Sequence, residues 1–207
     1  MDRSRLETFS DGVFAVAITL LALDLSVAGP GHGSLGHQLT RQWPSYVAYA
    51  VSFFTIGIIW VNHHGVFHAL ARVDRVLVYL NLALLFFVVA IPFATSTMAD
   101  YLRGGGADAR LAMALYAAVF ELMGLAFGSV LVWSIRRDLL VAPLPPADER
   151  RAIIRFTIGN VAYLAAIGIA FVSPYTALGI TGLVAVYYMA ERTAAPELEQ
   201  AGRRADS

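Results

Sequence analysis

Six apolar segments of about 20 residues constrain the fold of this chain more than any other feature. A helix that crosses the hydrocarbon core of a bilayer needs about 20 mostly apolar residues, because each residue advances it by about 1.5 Å. Only 14% of the 207 residues are charged, whereas soluble domains reach about 25%. We therefore predict an all-α integral membrane protein, a single domain with six transmembrane helices at 8–27, 45–64, 76–98, 110–133, 152–172 and 174–190.

Glycine and proline mark the connections between these segments. Gly29-Pro30-Gly31 follows the first segment, and Gly104, Gly105 and Gly106 follow the third. Such residues favour turns and end helices. The fifth and sixth segments meet at Ser173-Pro174, which predicts a tight helical hairpin. The stretch at 194–207 is predicted to be a short solvated tail.

The distribution of arginine predicts the orientation in the membrane, because basic residues are retained on the cytoplasmic side. Twelve of the 15 arginines fall in segments that the six-helix topology places on one side, and Arg41, Arg103 and Arg110 fall on the other. The even number of spans places both termini on the arginine-rich side. Both are therefore predicted to be cytoplasmic. A cleaved signal peptide is disfavoured because Glu7, Asp11 and Asp24 interrupt the pattern of a basic leader.

Composition excludes several classes of function. The chain has no cysteine, which rules out disulfides and thiolate metal sites. It also has no lysine, which rules out a Schiff base such as a retinal protein needs. The formal net charge is zero, which gives no support to nucleic-acid binding. We predict no enzymatic activity and no cofactor.

The first segment has two chemically different faces. On a helical wheel its apolar side chains form one stripe about 80° wide, and Glu7, Ser10 and Asp11 lie roughly opposite. A carboxylate inside a bilayer costs about 2.5 to 3.5 kcal/mol, so Asp11 needs a partner or water. The stripe alone is also typical of a packed or lipid-facing surface. Its members are Arg5, Phe9, Gly12, Val16, Leu20, Leu23 and Val27, with Thr19 beside it.

The second segment offers a partner for Asp11. It runs back toward the arginine-rich side and brings Trp60, His63 and His64 to the depth of Asp11. Histidine donates a hydrogen bond to a carboxylate whether it is neutral or charged. We therefore predict that the second helix holds the polar side of the first, with a histidine as the donor to Asp11.

The run from Arg5 to Leu20 begins with the pattern R-x-x-x-F-S-D and resembles the endolysosomal potassium channel family in its bacterial six-helix form. The Trp60-x-x-His63-His64 segment and the six-span layout resemble that family as well. The resemblance implies a homotetramer in the plasma membrane of a bacterium, with a central pore lined by the first helix. It implies a structural network formed by Arg5, Phe9, Ser10, Asp11, Trp60, His63 and His64.

Carried over by position, the resemblance places a hydrophobic constriction at Val16, Leu20 and Leu23, with the Thr19 hydroxyl nearby and Asp24 at the outer mouth. It implies a channel permeable to K+, and to other monovalent cations, without the carbonyl filter sequence Thr-Val-Gly-Tyr-Gly, which is absent here. A departure is Val16, where family members commonly carry the longer isoleucine. Asp24 is equally compatible with an ordinary residue at a helix end.

Three alternatives remain open at this point. Asp11, Glu121 and the histidines of the second segment would suit a proton- or cation-coupled transporter, although no inverted repeat is evident. Glu121 is also compatible with pairing to Asn81 or Asn160. His64 and His68 have metal-ligand spacing, but no carboxylate completes a site, so we predict no metal. A purely structural membrane protein is the third alternative.

Overall fold

A computed structural model describes residues 2–23, 25–27 and 29–190. Within that part of the chain the secondary structure is helical, and it comprises seven α-helices. Leu70 and Leu140 form an isolated antiparallel β-bridge between two loops. The helices are α1 (Arg3–Leu23), α2 (Leu35–Arg41), α3 (Trp43–His68), α4 (Arg75–Leu102), α5 (Gly106–Arg136), α6 (Pro146–Ala170) and α7 (Pro174–Ala190).

Helices occupy all six predicted segments, but their lengths differ from the expectation. In the described residues five helices are long and apolar enough to cross a membrane, namely α1, α3, α4, α5 and α6. Helix α7 has 17 residues and is not among them. The short helix α2 was not predicted; Ser34 begins it by accepting a hydrogen bond from the backbone N–H of His37. Helix α3 continues four residues past the predicted end of the span at residue 64, to His68, and its polar residues Asn62 and His63 are buried.

Three chain segments meet at one end of the bundle, which we call the arginine-rich end. Between the loops that follow α3 and α5, Ala71 N donates to Leu139 O at 2.8 Å and Val141 N donates to Ala69 O at 2.9 Å. The side chain of Arg3 donates to Leu70 O at 2.7 Å. The structure therefore brings together three of the segments that the arginine pattern assigned to one side; the segment with Arg192, Arg203 and Arg204 lies outside the described residues.

The opposite end is closed by contacts between α7 and two other helices. The hydroxyl of Tyr175 donates to Leu102 O at 3.2 Å, and its ring stacks on Trp43 with centroids 6.0 Å apart. Three residues, 171–173, connect α6 to α7, and these two helices pack against each other. The tight hairpin has therefore formed as the sequence predicted.

Helix α5 supplies the core, whereas α1 lies at the edge. Helix α5 packs against α4, α6 and α7, and its Tyr116, Phe120 and Phe127 are fully buried. The Tyr116 hydroxyl is satisfied by Ser52 Oγ at 3.0 Å, as buried polar groups require. Helix α1 packs mainly against α3 and α4, so one of its faces has no covering helix in the described chain.

Asp74 begins α4 and joins it to α5. Its carboxylate accepts from Leu77 N at 2.7 Å and from Trp133 Nε1 at 3.0 Å. The backbone hydrogen bond from Leu77 is the largest cause that lowers the pKa of Asp74, followed in effect by the Trp133 indole and the Arg137 guanidinium, while partial burial opposes them. The charged form is thus the one that the fold stabilises.

We expect Asp74→Ala to destabilise the chain by about 1 kcal/mol, the usual cost of losing such a helix cap. Because the pKa is lowered in the folded state, the charge contributes stability above the ordinary carboxyl pKa, and this stability is lost as pH falls through the folded-state value. Asp74→Asn is the matched control, since asparagine caps as well as aspartate but does not titrate. Unfolding of detergent-solubilised protein between pH 3 and 7 tests this; equal acid sensitivity of Asp74→Asn and the parent would contradict it.

Candidate pore-lining helix and the polar network behind it

The two faces of α1 differ in burial as well as in chemistry. Its buried positions are Leu6, Ser10, Phe14, Ala17 and Leu21, which recur at helical spacing and face α3 and α4. The opposite face is exposed in the single chain, with large apolar side chains 37% to 74% accessible. That face includes Phe9, Val16, Leu20 and Leu23, together with Gly12 and Thr19.

The Thr19 hydroxyl on this face is partly used by the backbone. It donates its hydrogen to Val16 O at 2.8 Å, so its oxygen lone pairs remain directed outward as acceptors. A Cβ at Gly12 would meet no atom within 4 Å, so nothing in the described chain covers that part of the face. From Phe9 to Leu23 the exposed face of α1 is therefore an apolar surface with one hydroxyl acceptor.

Behind this surface, Ser10, Asn81 and His63 form a fully buried chain of hydrogen bonds. Asn81 Nδ2 lies 2.9 Å from Ser10 Oγ, and Asn81 Oδ1 lies 2.8 Å from His63 Nε2. Ser10 gives its own hydrogen to Leu6 O at 2.9 Å, so toward Asn81 it acts as an acceptor. The amide therefore points its NH2 group at Ser10 and its oxygen at His63.

The same chain of bonds fixes the proton on His63. Because Asn81 Oδ1 only accepts, His63 Nε2 carries the hydrogen. His63 Nδ1 has no hydrogen-bond partner in the described part of the chain. The imidazole stacks on Phe67 at a centroid distance of 4.0 Å and contacts Phe14 at 5.3 Å. These apolar surroundings suit the neutral imidazole. Through Asn81, His63 thus connects α3 to α4 and α1.

Nearer the surface, two carboxylates of α1 meet two aromatic donors of α3. Trp60 Nε1 donates to Asp11 Oδ1 at 2.9 Å, and His64 Nδ1 lies 3.0 Å from Glu7 Oε1. Both carboxylates and both donors are spaced i, i+4, so the antiparallel helices pair them as two successive contacts. The predicted donor to Asp11 was a histidine, and this was wrong: the indole of Trp60 reaches Asp11 because His64 lies one turn lower, opposite Glu7.

Arginine also occupies the network differently from the expectation. The side chain of Arg3 donates to His68 O at 3.0 Å and to Leu70 O at 2.7 Å, which ties the start of α1 to the end of α3. Arg5 is exposed, and its side chain makes no hydrogen bond or ion pair within the described residues. Phe9 is 52% exposed. Arg5 and Phe9 thus lie on the open face, where the helical wheel had placed them, and not among the buried contacts.

Arg3→Gln is expected to lower the stability of the solubilised subunit by about 1 to 2 kcal/mol, because it removes charge-assisted hydrogen bonds to two carbonyl groups. Arg5→Gln is the matched control, since it removes the same charge two residues away without breaking a contact inside the subunit. The free energy of unfolding in mixed micelles measures both. An equal loss in the two variants would show that net charge, and not the Arg3 contacts, stabilises this end.

The remaining candidates lie apart from α1. Glu121 is 4% exposed on α5, and its Oε2 has no hydrogen-bond partner among the described residues; Asn81, one partner considered for it, instead bonds to Ser10 and His63. His64 and His68 stack with ring centroids 6.1 Å apart. No cluster of three potential metal ligands occurs within residues 2–23, 25–27 and 29–190. Asp24 lies outside the described residues.

Sequence reasoning did not assign Asn81 and Arg3 to this site. Asn81 did carry a signal, because a polar side chain within a long apolar helix calls for a polar partner. Nothing in the spacing distinguished Ser10 from Glu121 as that partner. Arg3 carried no such signal, since an arginine before a first membrane helix is expected for topology alone.

The fold and the site define a class: a multi-pass helical membrane protein whose first helix is held from behind by polar contacts and presents an apolar face outward. The model of the family described as the endosomal/lysosomal potassium channel TMEM175 matches residues 5–92, which include α1 and much of α4. A potassium channel of Streptomyces collinus is 46% identical over 97% of this chain and 98% of its own length. The chain therefore belongs to the TMEM175 family, and the resemblance noted in its sequence is confirmed.

Two further matches are to Chamaesiphon minutus. A potassium channel from that organism is 36% identical over 90% of this chain and 93% of its own length. The crystal structure of a lysosomal potassium-selective channel TMEM175 homolog from Chamaesiphon minutus superimposes with a TM-score of 0.79 and 33% identity, over 90% of this chain and 96% of that one. These relatives are ion channels and not enzymes, as predicted for this chain.

Proposed function

We propose that this chain is the subunit of a potassium-permeable cation channel. The observation that carries the proposal is the exposed apolar face of α1, which no helix of the described chain covers. Relatives that share 46% and 36% of its sequence over nearly the whole chain are named potassium channels. A surface of this kind, in a family of channels, is suited to line a pore between subunits.

The assembly that we propose is a homotetramer with α1 around a central axis. Closed rotational symmetry is usual for homo-oligomers, and it places four copies of each α1 residue at one height. Val16, Leu20 and Leu23 then form successive apolar rings, with Thr19 hydroxyls between them. Such rings gate by dewetting when narrow and pass partly hydrated ions when wide. Asp24, beyond the described part of α1, would concentrate cations at the outer mouth.

In this proposal the polar network supports the pore helix without touching the ion. Ser10 is fully buried, and Asp11 is bonded to Trp60 on the side facing α3. The transporter alternative needs Asp11, Glu121 and the histidines to exchange protons. Instead His63 is bonded to Asn81 and His64 to Glu7, so these groups are arranged as structural contacts.

For the membrane placement, we propose six spans with both termini in the cytoplasm of a bacterial cell. Helix α7 would be about 26 Å long at 1.5 Å per residue, near the lower limit for crossing a hydrocarbon core of about 30 Å. Its close packing on α6 favours crossing as a hairpin. The arginine-rich end then faces the cytoplasm.

Recording from purified protein in planar bilayers under a K+ gradient tests the function. Ohmic unitary currents that reverse near the K+ equilibrium potential are expected. Slow flux that depends on a proton gradient would instead establish the transporter. An absence of both, in protein shown to be folded and inserted, would contradict both proposals and favour a structural role.

The resemblance also predicts an effect at the first ring. Val16→Ile is expected to narrow the constriction, because isoleucine adds one methylene in each of four subunits, and so to reduce unitary conductance and strengthen K+ over Na+ discrimination. Val186→Ile, at a position 55% exposed on α7, controls for the added volume. Unchanged conductance and selectivity in Val16→Ile would exclude Val16 from the constriction.

A further inference from the structure

A large groove lies on the outer side of the bundle toward its arginine-rich end. Helices α5 and α6 form its walls, with the first turns of α4, and its volume is about 760 Å³. This volume falls within the range of about 300 to 1,000 Å³ that is typical of ligand sites. The groove is separate from the α1 face, because none of its lining residues belongs to α1.

The groove is mainly apolar, with Ser129, Thr157 and Asn160 as its uncharged polar lining, and it is cationic at one end. Leu125, Ile153 and Phe156 line its walls, and Arg136 and Arg137 lie at the end of α5. Trp133 lines the groove next to them. An apolar channel that ends in arginine and tryptophan matches an amphiphile with an anionic head, since both side chains are favoured at the membrane interface.

The two arginines differ in how far their charges are already satisfied. The guanidinium of Arg137 lies over the Trp133 ring at 5.1 Å from its centroid and acts electrostatically on Asp74. Arg136 is exposed and makes no hydrogen bond or ion pair within the described residues. A cation at the rim of the groove therefore has no anionic partner among residues 2–23, 25–27 and 29–190.

The dimensions of the groove correspond to one leaflet of a bilayer. Leu125 at its deep end and Arg136 at its rim are both lining residues and are separated by eleven positions, or about 17 Å along the helix. Half of a hydrocarbon core of about 30 Å is about 15 Å. An acyl chain lying along α5 would thus place its phosphate at the level of Arg136.

We propose that this groove binds an anionic phospholipid of the cytoplasmic leaflet, with the phosphate at Arg136 and Arg137 and an acyl chain over Gly128. The proposal rests on the membrane placement given above but not on ion conduction. Phosphate groups pair well with arginine forks, and basic residues near an anionic membrane surface strengthen the attraction. Basic pockets between membrane helices on the cytoplasmic side bind such head groups.

Native mass spectrometry of the detergent-solubilised protein, titrated with phosphatidylglycerol and with phosphatidylcholine, tests the site. Phosphatidylglycerol is expected to remain bound at about one per subunit and to bind more tightly than phosphatidylcholine. The double variant Arg136→Gln, Arg137→Gln is expected to weaken phosphatidylglycerol binding about 30-fold. Arg150→Gln, an exposed arginine at the same end that does not line the groove, is expected to leave it unchanged.

A second variant tests the acyl-chain part of the site. A Cβ at Gly128 would meet no atom within 4 Å, so Gly128→Leu fills the groove without a clash in the subunit. It is expected to reduce phosphatidylglycerol retention, whereas Gly168→Leu, equally open but outside the groove, is expected to retain it. Unitary currents in both variants separate this result from the channel proposal, because lipid loss with conduction intact bears on the groove alone.

Three outcomes would overturn the inference. Equal binding of phosphatidylglycerol and phosphatidylcholine would show that the arginines do not select the head group. Complete competition by inorganic phosphate would show a site for a free anion. Loss of the oligomer in Gly128→Leu, with no change in lipid retention per subunit, would show that a second copy of the chain covers the groove.

Discussion

Replacing Leu20 with serine is expected to increase the unitary conductance severalfold and to weaken closure. Leu20 lies on the exposed face of α1 and is 37% accessible in the single chain. In a tetramer the substitution removes four isobutyl groups at one height and replaces them with hydroxyls, which both widens and wets an apolar ring. Single-channel recording in symmetrical K+ measures the conductance and the open probability.

The control for this experiment is Leu183→Ser. Leu183 is 70% exposed on α7, so the same substitution is made on an exposed surface of a helix other than α1. Conductance is expected to remain at the parental value. If Leu20→Ser leaves the currents unchanged while Leu183→Ser alters them, the pore is not lined by α1.

Asn81→Leu is expected to lower the free energy of unfolding by about 1 to 3 kcal/mol. It removes the contact to Ser10 and leaves the Nε2 hydrogen of His63 buried without a partner, which alone costs about 1 to 3 kcal/mol. Hydrogen bonds between membrane helices are worth less on average, about 0.6 kcal/mol with a maximum near 1.7. Denaturation with sodium dodecyl sulfate in mixed micelles measures the loss.

A double-mutant cycle with Ser10→Ala identifies the contact responsible. Because Ser10 and Asn81 bond directly at 2.9 Å, their effects are expected to be non-additive, with a coupling of about 1 kcal/mol. Asn62→Leu is the matched control, since Asn62 donates to Ile58 O of its own helix at 2.9 Å. A loss of stability in Asn62→Leu as large as in Asn81→Leu would mean that the hydrogen bonds between helices stabilise the subunit no more than a bond within one helix.

The faces of α1 illustrate how much of the site can be read from the sequence. The period of an α-helix fixes which side chains share a side, so the wheel correctly separated Val16, Leu20 and Leu23 from Ser10. The depth at which α3 meets α1 also followed from antiparallel topology. The choice of Trp60 over a histidine as the partner of Asp11 did not, because a shift of one helical turn between two helices changes every pair.

The ends of the helices, too, were only partly predictable from the sequence. Hydropathy located α3, α4 and α5 to within four residues at each end, because long apolar runs end at charged or glycine-rich residues. The partners of the buried polar residues near the end of α3 did not follow from hydropathy. Asn62 bonds to its own helix, and His63 bonds to Asn81 on α4; the second of these contacts is not encoded by local sequence.

The sequence by itself determined a helical membrane protein, its TMEM175 family, and an α1 with one apolar and one polar side. The spans and the two sides of α1 depend on transfer energies and helical periodicity, which are local, whereas the family likeness is carried by the R-x-x-x-F-S-D pattern and the Trp60-x-x-His63-His64 segment. Only the tertiary structure decided that Arg3 and not Arg5 ties α1 to the bundle, that Asn81 joins Ser10 to His63, and that α5 and α6 leave a groove beneath Arg136. Those features depend on how helices distant in sequence are rotated and displaced against one another, and that packing is the sum of many contacts.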